Sequence, residues 1–317
     1  MTSATNDSQT DAQVERSRLA RTIDQSFIWL TWILATAVAA VLLWIAVQVA
    51  INSIPAMREY GWRFLVTSAW NPVKSVYGIL PMIYGTLMSS AIALIIAWPI
   101  GIASAIVLSE NFLPLSARNT LVFVVELLAA IPSIVYGLWG IYVLIPFLGP
   151  IGRWLHENFG YIPLFSTQYI GPGMLPAGVI LAIMILPIIT AISRDALASL
   201  STDLRWGSYG VGATRWQTIF SVLIPAAFSG IVGGTMLALG RALGETMAVT
   251  LVIGNNNDLN FSLLAPANTI ASLLANQFAE ASGFQRAALF YAGFALFVIT
   301  LIVNVLAFWI IRRVKKF

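Results

Sequence analysis

Two charged side chains interrupt the apolar stretch from Ala226 to Ile253: Arg241 and Glu245. A separation of four residues places both on one face of a helix, where they can pair. A lone arginine near the centre of a bilayer costs about 2.5–3.5 kcal/mol even on lenient insertion scales. Such a side chain therefore needs a partner, an aqueous cavity or both.

Two interpretations of this pair stay open. In the first, a salt bridge between Arg241 and Glu245 locks two helices together. In the second, Arg241 faces a translocation pathway and donates its planar fork of N–H groups to an anion, for which phosphate is especially well suited. Glu245 would then hold Arg241 in place and moderate its affinity, so that the anion is released.

Glu126 is a third charged residue inside an apolar stretch, and with Arg241 and Glu245 it completes the candidate substrate pathway. A protonated Glu126 could donate a hydrogen bond to a neighbouring helix. As a carboxylate it could instead balance charge within the pathway. The residues themselves do not separate these two roles.

Residues and motifs that commonly serve in catalysis, metal binding or nucleotide binding are rare in this sequence. The chain has no cysteine and a single histidine, His156, so neither a thiolate site nor a metal cluster is expected. It has no Gly-x-x-x-x-Gly-Lys-Ser/Thr motif, so it has no P-loop of its own with which to bind ATP. We expect a non-enzymatic subunit that binds no cofactor, and the net charge of +4 gives no indication of a nucleic-acid partner.

Composition indicates an integral membrane protein. The chain is 59% hydrophobic and only 9% charged, whereas soluble domains carry about 25% charged residues. Residues 1–25 are polar and predict a disordered tail, and residues 26–317 predict one all-α domain of six transmembrane helices. The six apolar stretches are Phe27–Ile51, Leu80–Leu108, Thr120–Leu148, Leu175–Ser193, Ala226–Ile253 and Ala287–Ile311.

The distribution of basic residues predicts the orientation of these helices. If the N-terminus is cytoplasmic, the tail, the cytoplasmic loops and the C-terminus together carry many more arginines and lysines than the outer loops. This bias agrees with the positive-inside rule, and an even number of helices returns the C-terminus to the same side. Both termini are therefore predicted to be cytoplasmic.

The longest internal cytoplasmic segment, residues 194–225, is predicted to be helical and is called the 194–225 loop below. Two short helices should meet at Gly210-Val211-Gly212, and the second begins with Thr214-Arg215-Trp216-Gln217, a capping-box pattern. Pro225 is expected to mark the turn into the fifth transmembrane helix. A compact helical loop of this kind is suited to docking another protein, although it could also pack on its own bundle.

The end of this loop resembles the loop signature of bacterial ABC importer permeases, in which a glycine precedes an apolar-x-apolar-Pro ending at a fixed distance. Gly212 and the run Val222-Leu223-Ile224-Pro225 match it, whereas Trp206-Gly207-Ser208 stand where the signature has Glu-Ala-Ala. The resemblance implies a type I ABC importer permease whose coupling helix inserts into a separate ATPase. The candidate coupling residues are Trp206, Gly207, Ser208, Tyr209, Gly212 and Pro225.

Two further stretches, residues 131–140 and 240–255, resemble the PstC permeases of phosphate-specific ABC importers. That resemblance implies phosphate as cargo, a bacterial plasma-membrane location within lipid, and passage of phosphate at Arg241 and Glu245. It also implies a PstA-like second permease, two copies of an ATPase subunit that binds ATP, and a phosphate-binding protein outside. The alternatives are a permease for another oxyanion, such as sulfate or molybdate, and a proton-coupled secondary anion transporter.

Overall fold

The computed structural model describes residues 18–314 of the chain, and the side chains of residues 24–309 within them. These residues form helices joined by loops and contain no β-strand, only isolated bridges between Asn71 and Val76 and between Gly254 and Ala267. In chain order the main helices are α1 (Arg18–Tyr60), α2 (Leu80–Ser109), α3 (Leu115–Ala129), α4 (Ser133–Phe159), α5 (Met174–Ala198), α6 (Thr202–Gly210), α7 (Arg215–Gly244), α8 (Met247–Val252), α9 (Ile270–Gln277) and α10 (Gly283–Val314).

Six helices in the described part of the chain are long and apolar enough to cross a membrane: α1, α2, α4, α5, α7 and α10. This confirms the predicted all-α membrane protein with six transmembrane helices. Helix α1 is described from Arg18 onward, so residues 18–25 of the predicted tail are helical, while its residues 1–17 lie outside the described part and their disorder stays a prediction. The chain divides after Ile51 into two compact units, and the division falls inside the predicted 26–317 domain.

The third transmembrane helix differs from the prediction. The apolar stretch from Thr120 to Leu148 is not one helix, because the chain leaves the helical conformation between Ala129 and Ser133. Proline has no N–H to donate and disfavours the helical conformation of the residue before it, so Pro132 separates α3 from α4. The membrane-length helix is α4, and α3 is a separate, shorter helix.

Two other prolines are accommodated without ending a helix. Each follows a π-helical turn, Gly140–Leu144 before Pro146 in α4 and Ile219–Leu223 before Pro225 in α7. The wider turn relieves the clash between the proline ring and the carbonyl four residues earlier. The prediction that Pro225 marks a turn into the fifth transmembrane helix is therefore wrong, since α7 runs continuously from Arg215 to Gly244.

Helices α2 and α5 form the most extensive contact of the bundle. A Cβ added at Gly101 of α2 would lie 2.8 Å from Cγ2 of Ile189, and one added at Gly178 of α5 would lie 2.5 Å from Cγ2 of Ile92. Small residues allow helix backbones to approach closely in a membrane, where packing rather than the hydrophobic effect favours helix association. This contact makes α5 the central helix on which α3, α4 and α7 are arranged.

Candidate translocation site and 194–225 loop

Arg241 and Glu245 lie on either side of a helix break. Helix α7 ends at Gly244, and the backbone of Glu245 is extended, with φ −67° and ψ 126°. The two side chains are therefore not on one face of a continuous helix, and the predicted pairing at a separation of four residues is wrong. The break itself was missed, because the sequence around it contains no proline and continues the apolar pattern.

Glu245 interacts with the short helix that follows the break. One of its carboxylate oxygens, Oε1, accepts a hydrogen bond from the backbone N–H of Ala248 at 3.3 Å. The first amides of a helix have no partner within the helix, and negative charge is favourable at that end. Glu245 therefore stabilises the start of α8 and does not neutralise Arg241.

Arg241 is exposed on the surface of the chain. Among the residues that the structure describes, it forms no ion pair with a carboxylate. An exposed and unpaired cation at this position does not support the interpretation in which Arg241 locks two helices of this chain together.

The two stretches noted in the sequence, residues 131–140 and 240–255, pack against each other. A Cβ added at Gly137 of α4 would lie 3.1 Å from Cα of Ala248, and one added at Gly140 would lie 2.7 Å from Cγ1 of Val252. The hydroxyl of Tyr136 donates a hydrogen bond to the carbonyl of Leu128 at 2.8 Å, which ties α4 to the end of α3. Close packing at these glycines of α4 fixes the position of α8, and Glu245 lies just before the start of α8.

Glu126 has a partner of its own on α5. Its Oε1 lies 3.5 Å from Nη1 of Arg194, and the side chains of Glu126 and Arg194 are 57% and 16% exposed. Arg194 also pairs with Asp195 at 2.8 Å. No ion pair or hydrogen bond within the described residues joins Glu126 to Arg241 or Glu245. The role of Glu126 in a substrate pathway stays a prediction, now with Arg194 as its counter-charge.

The 194–225 loop contains α6 and the first turns of α7, so the first predicted short helix is separate and the second is the start of the fifth transmembrane helix. The side chain of Ser201 caps α6 by accepting a hydrogen bond from the N–H of Asp203 at 3.1 Å. The capping box at the start of α7 is complete, because Thr214 N–H donates to Gln217 at 2.8 Å and Gln217 N–H donates to Thr214 at 3.3 Å. The turn between them passes through Gly212, whose φ of +86° favours glycine.

The candidate coupling residues of α6 divide into an outward and an inward set. Trp206 is 71% exposed and meets Tyr209 edge-on at 6.1 Å, and a Cβ added at Gly207 would touch nothing. Ser208 faces the other way and is hydrogen-bonded to Thr218 of α7 at 2.9 Å between the hydroxyl oxygens. An aromatic surface therefore points away from the bundle, while Ser208 holds α6 against α7.

The overall fold matches solved permeases of ABC importers. One neighbour is a bacterial alginate ABC transporter in complex with an alginate-bound periplasmic protein, with a TM-score of 0.63 at 19% sequence identity. The match covers 94% of this chain and 99% of that chain. At this identity the likeness shows the fold alone, and the fold is that of a type I ABC importer permease.

Sequence comparison gives the family. Residues 97–316 match the family model described as the inner membrane component of binding-protein-dependent transport systems. The chain is 43% identical to the phosphate transport system permease protein PstC of Mesorhizobium japonicum, over 97% of this chain and 94% of that protein. It is 42% identical to the PstC of Pasteurella multocida, over 96% of this chain and 97% of that protein. The chain therefore belongs to the PstC family of binding-protein-dependent inner membrane permeases, and it is a multi-pass protein of the inner membrane.

Proposed function

We propose that this chain is the transmembrane permease subunit through which an ATP-driven importer moves inorganic phosphate into the cytoplasm. The observation that carries the proposal is the exposed guanidinium of Arg241, which forms no ion pair with any side chain that the structure describes and lies beside a break in a transmembrane helix. The identity to phosphate permeases over nearly the whole chain supports phosphate as the cargo.

The energetic argument starts from the cost of an arginine in a membrane. A guanidinium in hydrocarbon is unfavourable by about 2.5–3.5 kcal/mol on insertion scales, so an unpaired one is expected to face water or an anion. Its planar donors suit two oxygens of a phosphate. Glu245, across the break, keeps negative charge near the site and favours release of the anion.

A PstA-like second permease would supply the other wall of the pathway. Arg241 is exposed in the single chain, so a partner helix facing it would enclose the pathway without sealing the cation between helices of this subunit. A phosphate-binding protein would deliver phosphate from outside, and membrane lipid would cover the remaining apolar surface.

Energy is proposed to come from a separate ATPase dimer that binds ATP and docks on the 194–225 loop. The outward set of this loop, Trp206, Gly207 and Tyr209, is available for that contact. In this proposal the loop and both chain termini lie in the cytoplasm, and the excess of basic residues predicted for that side supports this orientation.

Substitution of Arg241 tests the proposal. In a complex reconstituted into proteoliposomes, Arg241→Gln should lower ATP-dependent phosphate uptake about tenfold or more, because a hydrogen bond to a charged group contributes about 1.5–3 kcal/mol. Arg153→Gln replaces an exposed arginine of α4 and is the control. Normal uptake by a stably inserted Arg241→Gln complex would contradict the proposal.

Two further measurements distinguish the proposed phosphate importer from a permease for another oxyanion and from a secondary anion transporter. Strong inhibition of phosphate uptake by sulfate or molybdate would favour a permease for another oxyanion. Stoichiometric co-purification of an ATPase subunit with the detergent-extracted chain would exclude a secondary transporter, whereas uptake driven by a proton gradient without ATP would support one.

A further inference from the structure

The segment Glu110–Phe112 directly follows α2, and both helices of the 194–225 loop attach to it. Arg205 of α6 reaches the carboxylate of Glu110, with Nη2 donating to Oε1 at 2.8 Å and Nε donating to the same oxygen at 3.2 Å. The two side chains are only 17% and 8% exposed. This is the most buried ion pair among the described residues.

Arg205 also binds the end of a third helix. Its Nη2 donates to the carbonyl of Leu197 at 3.0 Å, and its Nη1 donates to the carbonyl of Leu200 at 3.0 Å. The last carbonyls of a helix have no partner within the helix, and a cation there is favourable. Arg205 thus joins α6 to the segment that follows α2 and to the end of α5, the two helices with the most extensive contact.

The start of α7 is attached to the same segment by a second contact. The guanidinium carbon of Arg215 lies 3.6 Å from the centroid of the Phe112 ring, and that ring lies 5.5 Å from the ring of Trp216. Cation–π contacts of this kind are favourable. Beneath them, Ile106 of α2 and Leu197 of α5 belong to one buried apolar cluster with Ile219 and Leu223 of α7.

We infer that Glu110 is a positioning residue that transmits displacements of the 194–225 loop to α2, through its ion pair with Arg205. The inference rests on the proposed docking of an ATPase on this loop. The polar contacts of Arg205 named above are to Glu110, directly after α2, and to the end of α5 with the turn that follows it. Trp206 and Tyr209 of the same helix face outward. A buried ion pair fixes the relative position of its two partners, and removal of one charge leaves the other buried and unpaired. Movement of α6 therefore cannot leave α2 in place without separating Glu110 from Arg205.

The experiment uses the complete importer in proteoliposomes and measures phosphate imported per ATP hydrolysed. Glu110→Gln and Arg205→Lys are compared with Glu157→Gln, which changes an exposed glutamate of α4. We expect both test variants to lower the ratio about tenfold, within the range by which mutations on a coupling route act. The control should keep the wild-type ratio.

The amount of ATPase subunit bound to each variant is measured in parallel. A purely structural role of Glu110 would reduce the yield of complex but leave the ratio unchanged in the complexes that form, and this result would overturn the inference. If Glu110→Gln does not assemble, Arg205→Lys decides, because it retains the charge and loses the planar fork. Absence of bound ATPase in the wild type would instead contradict the proposed docking on the loop.

Discussion

Gly137 of α4 faces the backbone of Ala248 in α8 so closely that an added Cβ would lie 3.1 Å from the Ala248 Cα. The same Cβ would lie 2.5 Å from Cδ1 of Leu251. This contact seats the short helix whose first turn is capped by Glu245. A glycine on one helix therefore sets the position of a charged residue of the candidate pathway that lies far away in the sequence.

The first prediction concerns this contact. Gly137→Ala should shift α8 away from α4 and lower phosphate uptake, and the overpacking should reduce the free energy of unfolding by about 1–3 kcal/mol. Gly149→Ala is the matched control in the same helix, because its Cβ would meet only the flexible Arg153 side chain, at 3.7 Å. Thermal unfolding and uptake are measured for both variants, and equal behaviour of the two would contradict the role assigned to Gly137.

The sequence was sufficient to predict the number of membrane-length helices and the helical character of the 194–225 loop. Length and hydrophobicity determine the former, and local capping by Ser201, Thr214 and Gln217 determines much of the latter. Such features depend on residues close in the sequence. The features that the sequence did not predict are the helix breaks and the ion pair of Glu110. They depend on the geometry around prolines and on contacts between segments that are distant in the sequence.

The positions of the helix breaks could not be predicted from length, hydrophobicity or local capping residues. Pro132 ends a helix, whereas Pro225 follows a π-helical turn and interrupts nothing, although both are prolines in apolar surroundings. The short helix α8 that follows the break after Gly244 packs against Gly137 and Gly140, more than 100 residues earlier, and the local sequence does not reveal this contact. Glu110 was not identified as a functional residue from the sequence, because its partner Arg205 is distant in the sequence.

The second prediction separates the two roles of Glu245. Glu245→Gln keeps an oxygen that can accept the hydrogen bond from Ala248, so stability should change little while loss of the charge lowers uptake. Glu245→Ala removes the cap as well and should reduce the free energy of unfolding by about 1 kcal/mol. Thermal unfolding and uptake are compared for the two variants. Wild-type uptake by Glu245→Gln would show that its charge has no part in transport.

The third prediction concerns Glu126 and its partner Arg194. Because Asp195 also pairs with Arg194, at 2.8 Å, loss of the Glu126 charge leaves Arg194 with a counter-charge. An exposed pair contributes at most about 1 kcal/mol, so Glu126→Gln should lower phosphate uptake no more than about fivefold. Uptake is measured beside Asp195→Asn as the matched variant. A loss as large as that of Arg241→Gln would instead place Glu126 among the residues essential for passage.

The last prediction concerns the aromatic surface of α6. Trp206 is 71% exposed and stands where the loop signature has glutamate, so in the proposed docking of the ATPase an apolar contact would replace a charged one. Trp206→Ala should weaken binding of the ATPase subunit about tenfold or more, as truncation of a tryptophan at the centre of an interface commonly does. Thermal unfolding of the permease should stay unchanged, because the side chain packs little within the chain.

Trp154→Ala, which truncates another exposed tryptophan in α4, is the matched control for this measurement. Trp206→Glu restores the residue of the signature and should retain more binding than Trp206→Ala if the ATPase groove also accepts the charged form. Binding is measured as ATPase co-purified per permease at several concentrations. Trp206 is the largest exposed apolar side chain of α6, so its removal should weaken any docking contact that this helix makes. Equal binding of the ATPase by wild type and Trp206→Ala would therefore mean that the docking contact lies elsewhere on the loop.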